Sequence, residues 1–238
     1  MQLDFSSVTA SVPFLMSGLK FTLMLTVAAF TGGLILGTAL ALFRHLKVPF
    51  FGGFAAAYVT VMRSVPLIMV LFWLFFLLPL FLMYFNPSQQ PVPIGPVYTA
   101  FITFTLFEAA YFCEIIRAGL NSVPRGQYEA ADAIGMTSVQ TYTWIILPQV
   151  LRASLPIILT QLIILFQDTP LVYVLSLTDL LGAATKLGQR DSRLAEYYII
   201  VAVIYFVISS VSSELITWYS RKHQSHAGSK GRGQKILE

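Results

Sequence analysis

The sequence predicts an all-α, polytopic integral membrane protein with about five transmembrane helices, its N-terminus outside and its C-terminus inside. Three observations carry this reading. Hydrophobic residues make up 56% of the 238 and charged residues only 11%, where a soluble domain is nearer a quarter charged. Such a chain cannot cover a water-facing surface with polar groups, and it is far too apolar to be disordered. Second, five segments each supply the roughly 20 apolar residues that a helix needs to cross a hydrocarbon core about 30 Å thick. Third, these runs are continuous, without the apolar/polar alternation of a membrane barrel.

The segments follow in order. Phe21 to Phe43 contains no charge. Leu67 to Phe85 is also charge-free, with an entry turn reaching back toward Ala55. Ile94 to Leu120 is interrupted by Glu108, Glu114 and Arg117. Ala153 to Thr178 carries Asp168, and Tyr197 to Tyr219 carries Glu214. The first dozen residues hold no Lys or Arg, so no cleavable signal is expected.

Orientation follows from the basic residues of the connections. With the N-terminus outside, the inner side receives Arg44, Lys47, Arg117, Arg125, Arg152, Arg221, Lys222, Lys230, Arg232 and Lys235. The outer side receives only Lys186, Arg190 and Arg193, with Lys20 at the boundary. Residues 1–219 then form a transmembrane domain with a polar inner loop at 121–148. Residues 220–238 form a basic inner tail, expected to be disordered. Asn86 to Pro96 is an uncharged, proline-rich outer loop, and Ser176 to Glu196 an outer connection of mixed charge. The net charge of +4 is explained by the inner loops and gives no reason to expect nucleic acid. The single cysteine, Cys113, cannot form an intrachain disulfide.

The inner loop carries a pattern. It reads Glu129-Ala130-Ala131, three residues, Gly135, nine residues, Ile145, one residue, Leu147-Pro148. Locally this is two short helices with a sharp corner. Gly135 can take the left-handed conformation that ends the first helix. Thr137 and Gln140 have capping-box spacing for the second, which Pro148 should cut short. The alanine-rich first helix would let another protein approach its backbone closely, with Ala131 in the contact and Glu129 offering a charge. A pair of helices lying on the lipid surface is the alternative that the local pattern leaves open.

The spacing resembles the EAA motif of the membrane subunits of ABC importers. Further stretches are similar to the polar amino acid permeases of that superfamily, most of all those for glutamate/aspartate. They are Arg63-Ser64-Val65-Pro66-Leu67, Phe107-Glu108-Ala109-Ala110-Tyr111, Glu114-Ile115-Ile116-Arg117-Ala118-Gly119, Phe166-Gln167-Asp168-Thr169 and Leu171 to Leu177. One departure is Pro170, where those relatives usually carry a serine. The resemblance implies a multi-pass permease subunit of the bacterial cytoplasmic (inner) membrane. It implies ABC ATPase subunits, a second permease subunit, identical or paralogous, and an extracytoplasmic amino-acid-binding protein as partners. Glu129, Ala130, Ala131, Gly135, Ile145, Leu147 and Pro148 would couple to the ATPase. ATP and Mg would be used by that partner. This chain has no phosphate loop, so it is expected to bind no cofactor and to be no enzyme itself. No metal-ligand spacing is present. The rival reading is an ATP-independent secondary transporter or channel for a small polar solute; a lipid-directed enzyme lacks a nucleophile–base–metal set.

Ionisable groups within spans need a partner, water or a function. Glu108 lies about midway along its span, and Asp168 in the central-to-outer part of the next, with Gln161 and Gln167 before it. They line a substrate pathway or act as polar glue between helices. Glu114 and Arg117, three apart, suit an intrahelical ion pair. Arg63, just before Ser64-Val65-Pro66, could meet a carboxylate at a broken helix, pair with Glu108 or Asp168, or snorkel to headgroups. Gly33 and Gly37 have the spacing that lets helices pack closely.

Overall fold

The computed structural model describes residues 8–87 and 90–231, with side chains from Thr9 to Ser220. Among them every regular element is helical. We number them α1 (Val8–His45), α2 (Phe51–Ser64), α3 (Leu67–Met83), α4 (Pro96–Ser122), α5 (Arg125–Ala133), α6 (Ser138–Leu175), α7 (Leu180–Asp191) and α8 (Leu194–Gly231). Helices α1, α4, α6 and α8 are long and apolar enough to cross a membrane, and α2 with α3 makes a fifth, broken span.

The break lies where Pro66 stands. A proline bars the preceding residue from helical geometry, and Val65 is extended (φ −116°, ψ 137°). The two helices meet at a bend of 111°. What the sequence reads as an entry turn is a full helix of 14 residues, α2. Its Ala55 and Val59 pack against Leu40, Ala41, Ala109, Ala110 and Cys113. Leu67, Val70 and Leu71 of α3 pack instead against Leu25, Ala29, Ala100, Phe104 and Leu165. The two halves of the broken span therefore serve two levels of the core.

Helix α4 sits at the centre, covered by α1, α2, α3 and α6. Its contact with α1 depends on absent side chains. A Cβ on Gly37 would stand 2.7 Å from both the Ala109 carbonyl oxygen and the Phe112 Cβ, and one on Gly33 would stand 2.9 Å from the Glu108 Cβ. The Gly33/Gly37 spacing is thus a helix–helix contact, as expected.

Further features differ from the sequence reading or lie beyond its reach. Helix α1 begins at Val8, well before Phe21, because residues 11 and 15 pack on α7 and α8. The connection from Ser176 to Glu196 contains the mostly buried α7, capped by Asp179, whose carboxylate accepts from the Leu181 and Gly182 N–H groups. Burial pushes that carboxyl up to about 6, against those hydrogen bonds. A Cβ on Gly18 of α1 would lie 2.6 Å from the Asp179 carbonyl oxygen, so α7 is seated against α1 itself. Third, Pro148 does not end the second loop helix, which continues to Leu175. A π-helical turn at Thr141–Ile146 precedes it, in which the Leu147 N–H reaches back five residues to the Tyr142 carbonyl. That wider turn reorganises the bonding where Pro148 has no N–H to give. Pro170 falls after the α-helical part ends at Asp168, near the start of a 3₁₀ stretch, Thr169–Leu175, where a missing donor is tolerated. Finally, α8 is helical to Gly231; the tail reading for 220–238 falls on side chains and terminal residues outside those described.

The glycine contact gives a stability test. Gly37→Val should destabilise the detergent-solubilised protein by about 1–3 kcal/mol through overpacking. Gly53→Ala, with nothing within 4 Å of the added carbon, should not destabilise it, because alanine is the better helix former. Thermal unfolding of the two variants checks this.

Candidate functional site

The hairpin of α5 and the start of α6 is the first candidate. Helix α5 closes as the sequence suggests. Gly135 has φ +73°, the Gly135 N–H donates to the Asp132 carbonyl, and the Met136 N–H to the Ala131 carbonyl. This pair of bonds is a Schellman closure. Thr137 then caps α6 in a complete capping box with Gln140. Across the hairpin, Gln149 donates to the Gln127 side chain at 2.9 Å.

The candidate coupling residues divide into two faces. Glu129, Ala130 and Gly135 are exposed. Ala131 is 1% exposed and faces its own chain. Ile145 packs at the edge of the core beside Tyr128 and Tyr142, and Leu147 and Pro148 are half-buried. Sequence reasoning placed Ala131 in a partner contact; the helix period turns it inward instead. It also missed three apolar side chains that the hairpin displays outward: Ile134 at 75% exposure, Val139 at 75% and Trp144 at 72%. Only their place in a polar loop could have marked them.

The second candidate is a set of ionisable groups on α4 and α6. Glu108 is 2% exposed. Gln161 of α6 donates to both its oxygens, at 3.1 and 3.3 Å. Asp168 is half-buried and within electrostatic reach of Glu108. Gln167 is exposed and lines a different cleft, between α6 and α8, with Thr160, Tyr205 and Ser209. Arg63 meets neither Glu108 nor Asp168 among the described residues.

Glu114 gathers the basic residues. Arg44 of α1 donates to its Oε1, and Arg117 donates twice to its Oε2, at 2.9 and 2.7 Å. The intrahelical Glu114–Arg117 pair is the one expected; Arg44 is a partner that sequence distance concealed. Arg63 lies 4.0 Å from Glu114 and 5.5 Å from the centre of the Tyr111 ring. No cluster of metal-binding side chains occurs among the described residues.

Loss of the Gln161 amide tests the Glu108 arrangement. Gln161→Leu leaves a buried carboxyl without its partner and should destabilise the protein by about 1–3 kcal/mol. Glu108→Gln keeps a hydrogen-bonding pair and should cost less. Thermal unfolding of both proteins in detergent orders them.

The chain is similar to known transport proteins. A family model described as "Binding-protein-dependent transport system inner membrane component" matches residues 33–224. The glutamate/aspartate import permease protein GltK of Escherichia coli O157:H7 is 44% identical over 226 residues, covering 93% of this chain and 98% of GltK. The L-cystine transport system permease protein TcyB of Bacillus subtilis is 38% identical over 82% of this chain and 80% of TcyB. A chain from the crystal structure of an amino acid ABC transporter with histidines superposes with a TM-score of 0.80 at 32% identity, covering 93% of this chain and 100% of that one.

Proposed function

The chain belongs to the family of binding-protein-dependent transport system inner membrane components, the permease subunits of ABC importers, and on that premise we propose that it carries glutamate and aspartate inward. It is a multi-pass inner-membrane protein. The observation that carries the substrate reading is the 44% identity with GltK over nearly the full length of both chains. TcyB, named for cystine, is less similar.

Two copies of such a subunit, or this chain and a paralogue, enclose the path between them, since five spans are too few to surround one. A binding protein delivers the amino acid at the outer face. Separate ATPase subunits bind and hydrolyse ATP, and this chain holds no cofactor. Glu108, held by Gln161, and Asp168 line the path, where their carboxylates suit the α-amino group common to all amino acids. The ATPase acts through the α5–α6 hairpin. Its exposed Glu129 and Ala130, with Ile134, Val139 and Trp144, form the docking face, and Gly135 sets the corner. Ala131, Ile145, Leu147 and Pro148 hold that face to the membrane domain from within. Apolar side chains this exposed on a hairpin of polar sequence call for a protein partner. The ATP-bound state must favour one arrangement of the path over the other for coupling to occur.

Pull-down of the ATPase with tagged permease tests the docking face. Ala130→Arg and Trp144→Ala should leave permease abundance in the membrane unchanged and reduce ATPase recovery several-fold. Gly135→Val, at a cost on the order of 1–3 kcal/mol at a positive φ, should do the same. Ala131→Arg should instead unsettle the hairpin itself and lower permease abundance. Full ATPase recovery with Ala130→Arg and Trp144→Ala would show that the face is not the docking element.

We place the α5–α6 hairpin and the end of α8 on the cytoplasmic side and the α3–α4 loop outside, from the distribution of Lys and Arg. Reporter fusions at Gln90 and Lys230 should read outside and inside respectively. The reverse result would invert every side assignment.

A further inference from the structure

Of the three cations around Glu114, Arg63 is the most weakly answered, at ion-pair distance but with no hydrogen bond among the described residues. Both oxygens of Glu114 are already engaged, one by Arg44 and the other by Arg117. Three guanidinium groups therefore surround one carboxylate, leaving an excess of two positive charges. Arg63 stands 4.0 Å from Glu114 and donates no hydrogen bond among the described residues. Its guanidinium also lies over the Tyr111 ring. A guanidinium carries five donors in a planar fork, and this one stands at the break of a membrane-spanning segment with its donors free of hydrogen bonds among the described residues.

The space before it is built to receive something. Arg63 and Glu114 line a groove of about 480 Å³ with Ala118, Gly119, Ser122 and Ser154. Small-molecule sites run from roughly 300 to 1,000 Å³. Small side chains keep this one open: a Cβ on Gly119 would lie 2.6 Å from the Ser154 Oγ. Ser154 is 4% exposed, and its hydroxyl has no hydrogen-bond partner among the described residues. A weakly paired guanidinium and the unpartnered hydroxyl of a buried serine thus share one groove.

We propose that Arg63 and Ser154 form a binding site for a carboxylate or phosphate group in the groove between α2, α4 and α6. Guanidinium binds either anion through paired, charge-assisted hydrogen bonds. Two sources can supply the group. One is a carboxylate of the transported amino acid, which rests on the glutamate/aspartate reading above. The other is the headgroup of an anionic lipid.

The experiment uses the purified permease complex with its ATPase in detergent. Equilibrium binding of radiolabelled aspartate is measured without the binding protein. Phosphatidylglycerol retained through purification is measured by mass spectrometry. Three proteins are compared with the unsubstituted complex: Arg63→Gln, Arg63→Lys, and Ala118→Leu, which fills the groove from an exposed position without changing charge. Arg63→Gln and Ala118→Leu should each weaken binding of the anion about tenfold, and Arg63→Lys by less. If aspartate affinity falls and retained lipid does not, the amino acid supplies the anion. If retained phosphatidylglycerol falls and aspartate binding holds, the lipid does. If both quantities are unchanged in Arg63→Gln and in Ala118→Leu, the site does not exist. Absence of aspartate binding to the unsubstituted complex would speak against the glutamate/aspartate reading alone, and the lipid measurement would still decide the site.

Discussion

A charge carried into hydrocarbon has to be answered from within the protein, and α4 carries three of them. Everything around that helix is arranged to supply the answers. Gln161 of α6 reaches Glu108, and Arg44 of α1 reaches Glu114 while Arg117 closes on it from the same helix. These contacts need helices at short range. The glycines of α1 provide it, since a side chain on Gly33 or Gly37 would strike α4 backbone or Cβ atoms. Removing the side chain at the contact and placing the charge beside it are two parts of one solution. Arg63 is the residue that this arrangement leaves over, and it faces a groove.

The hairpin obeys a different constraint. It lies outside the runs of apolar sequence and meets the spans only along the side that carries Ala131, Tyr128, Tyr142 and Ile145. Its shape comes from the Schellman closure at Gly135, the capping box at Thr137 and Gln140, and the Gln149–Gln127 bond. The π-helical turn at Thr141–Ile146 then joins it without interruption to a membrane-crossing helix. The hairpin is thus continuous with the helix that carries Gln161 and Asp168. If the hairpin docks the ATPase as proposed, that continuity would give it a mechanical route to the middle of the membrane domain.

Much of this was legible in the residues. The apolar runs marked the spans, because burial in lipid leaves no other use for them. Pro66 marked the break, and Gly33 and Gly37 the close approach. Gly135 with Thr137 and Gln140 gave the hairpin corner, since those signals are local. What escaped was set by distant partners. Helix α7 was read as a connection because its charges masked a face that packs on α1 and α8; Asp179 as an N-cap was the available clue. Ala131 was assigned to a partner because alanine looks alike on either face of a helix, and only packing shows that it turns inward. Arg44 and Glu114 lie 70 residues apart, and no spacing rule joins them. The π-helical turn before Pro148 likewise follows from tertiary packing and not from a local signature.

The central claim is that motion of a path built around α4 is driven from outside this chain, by ATP used on another subunit. Proteoliposomes containing the permease with its ATPase, loaded with ATP in the lumen that faces the hairpin, test it most directly. Radiolabelled aspartate or glutamate is supplied on the opposite side with the binding protein. The account predicts that transport requires both ATP and the binding protein, and that it persists when proton and sodium gradients are abolished. Transport by the permease alone, driven by an ion gradient and indifferent to ATP, would contradict it.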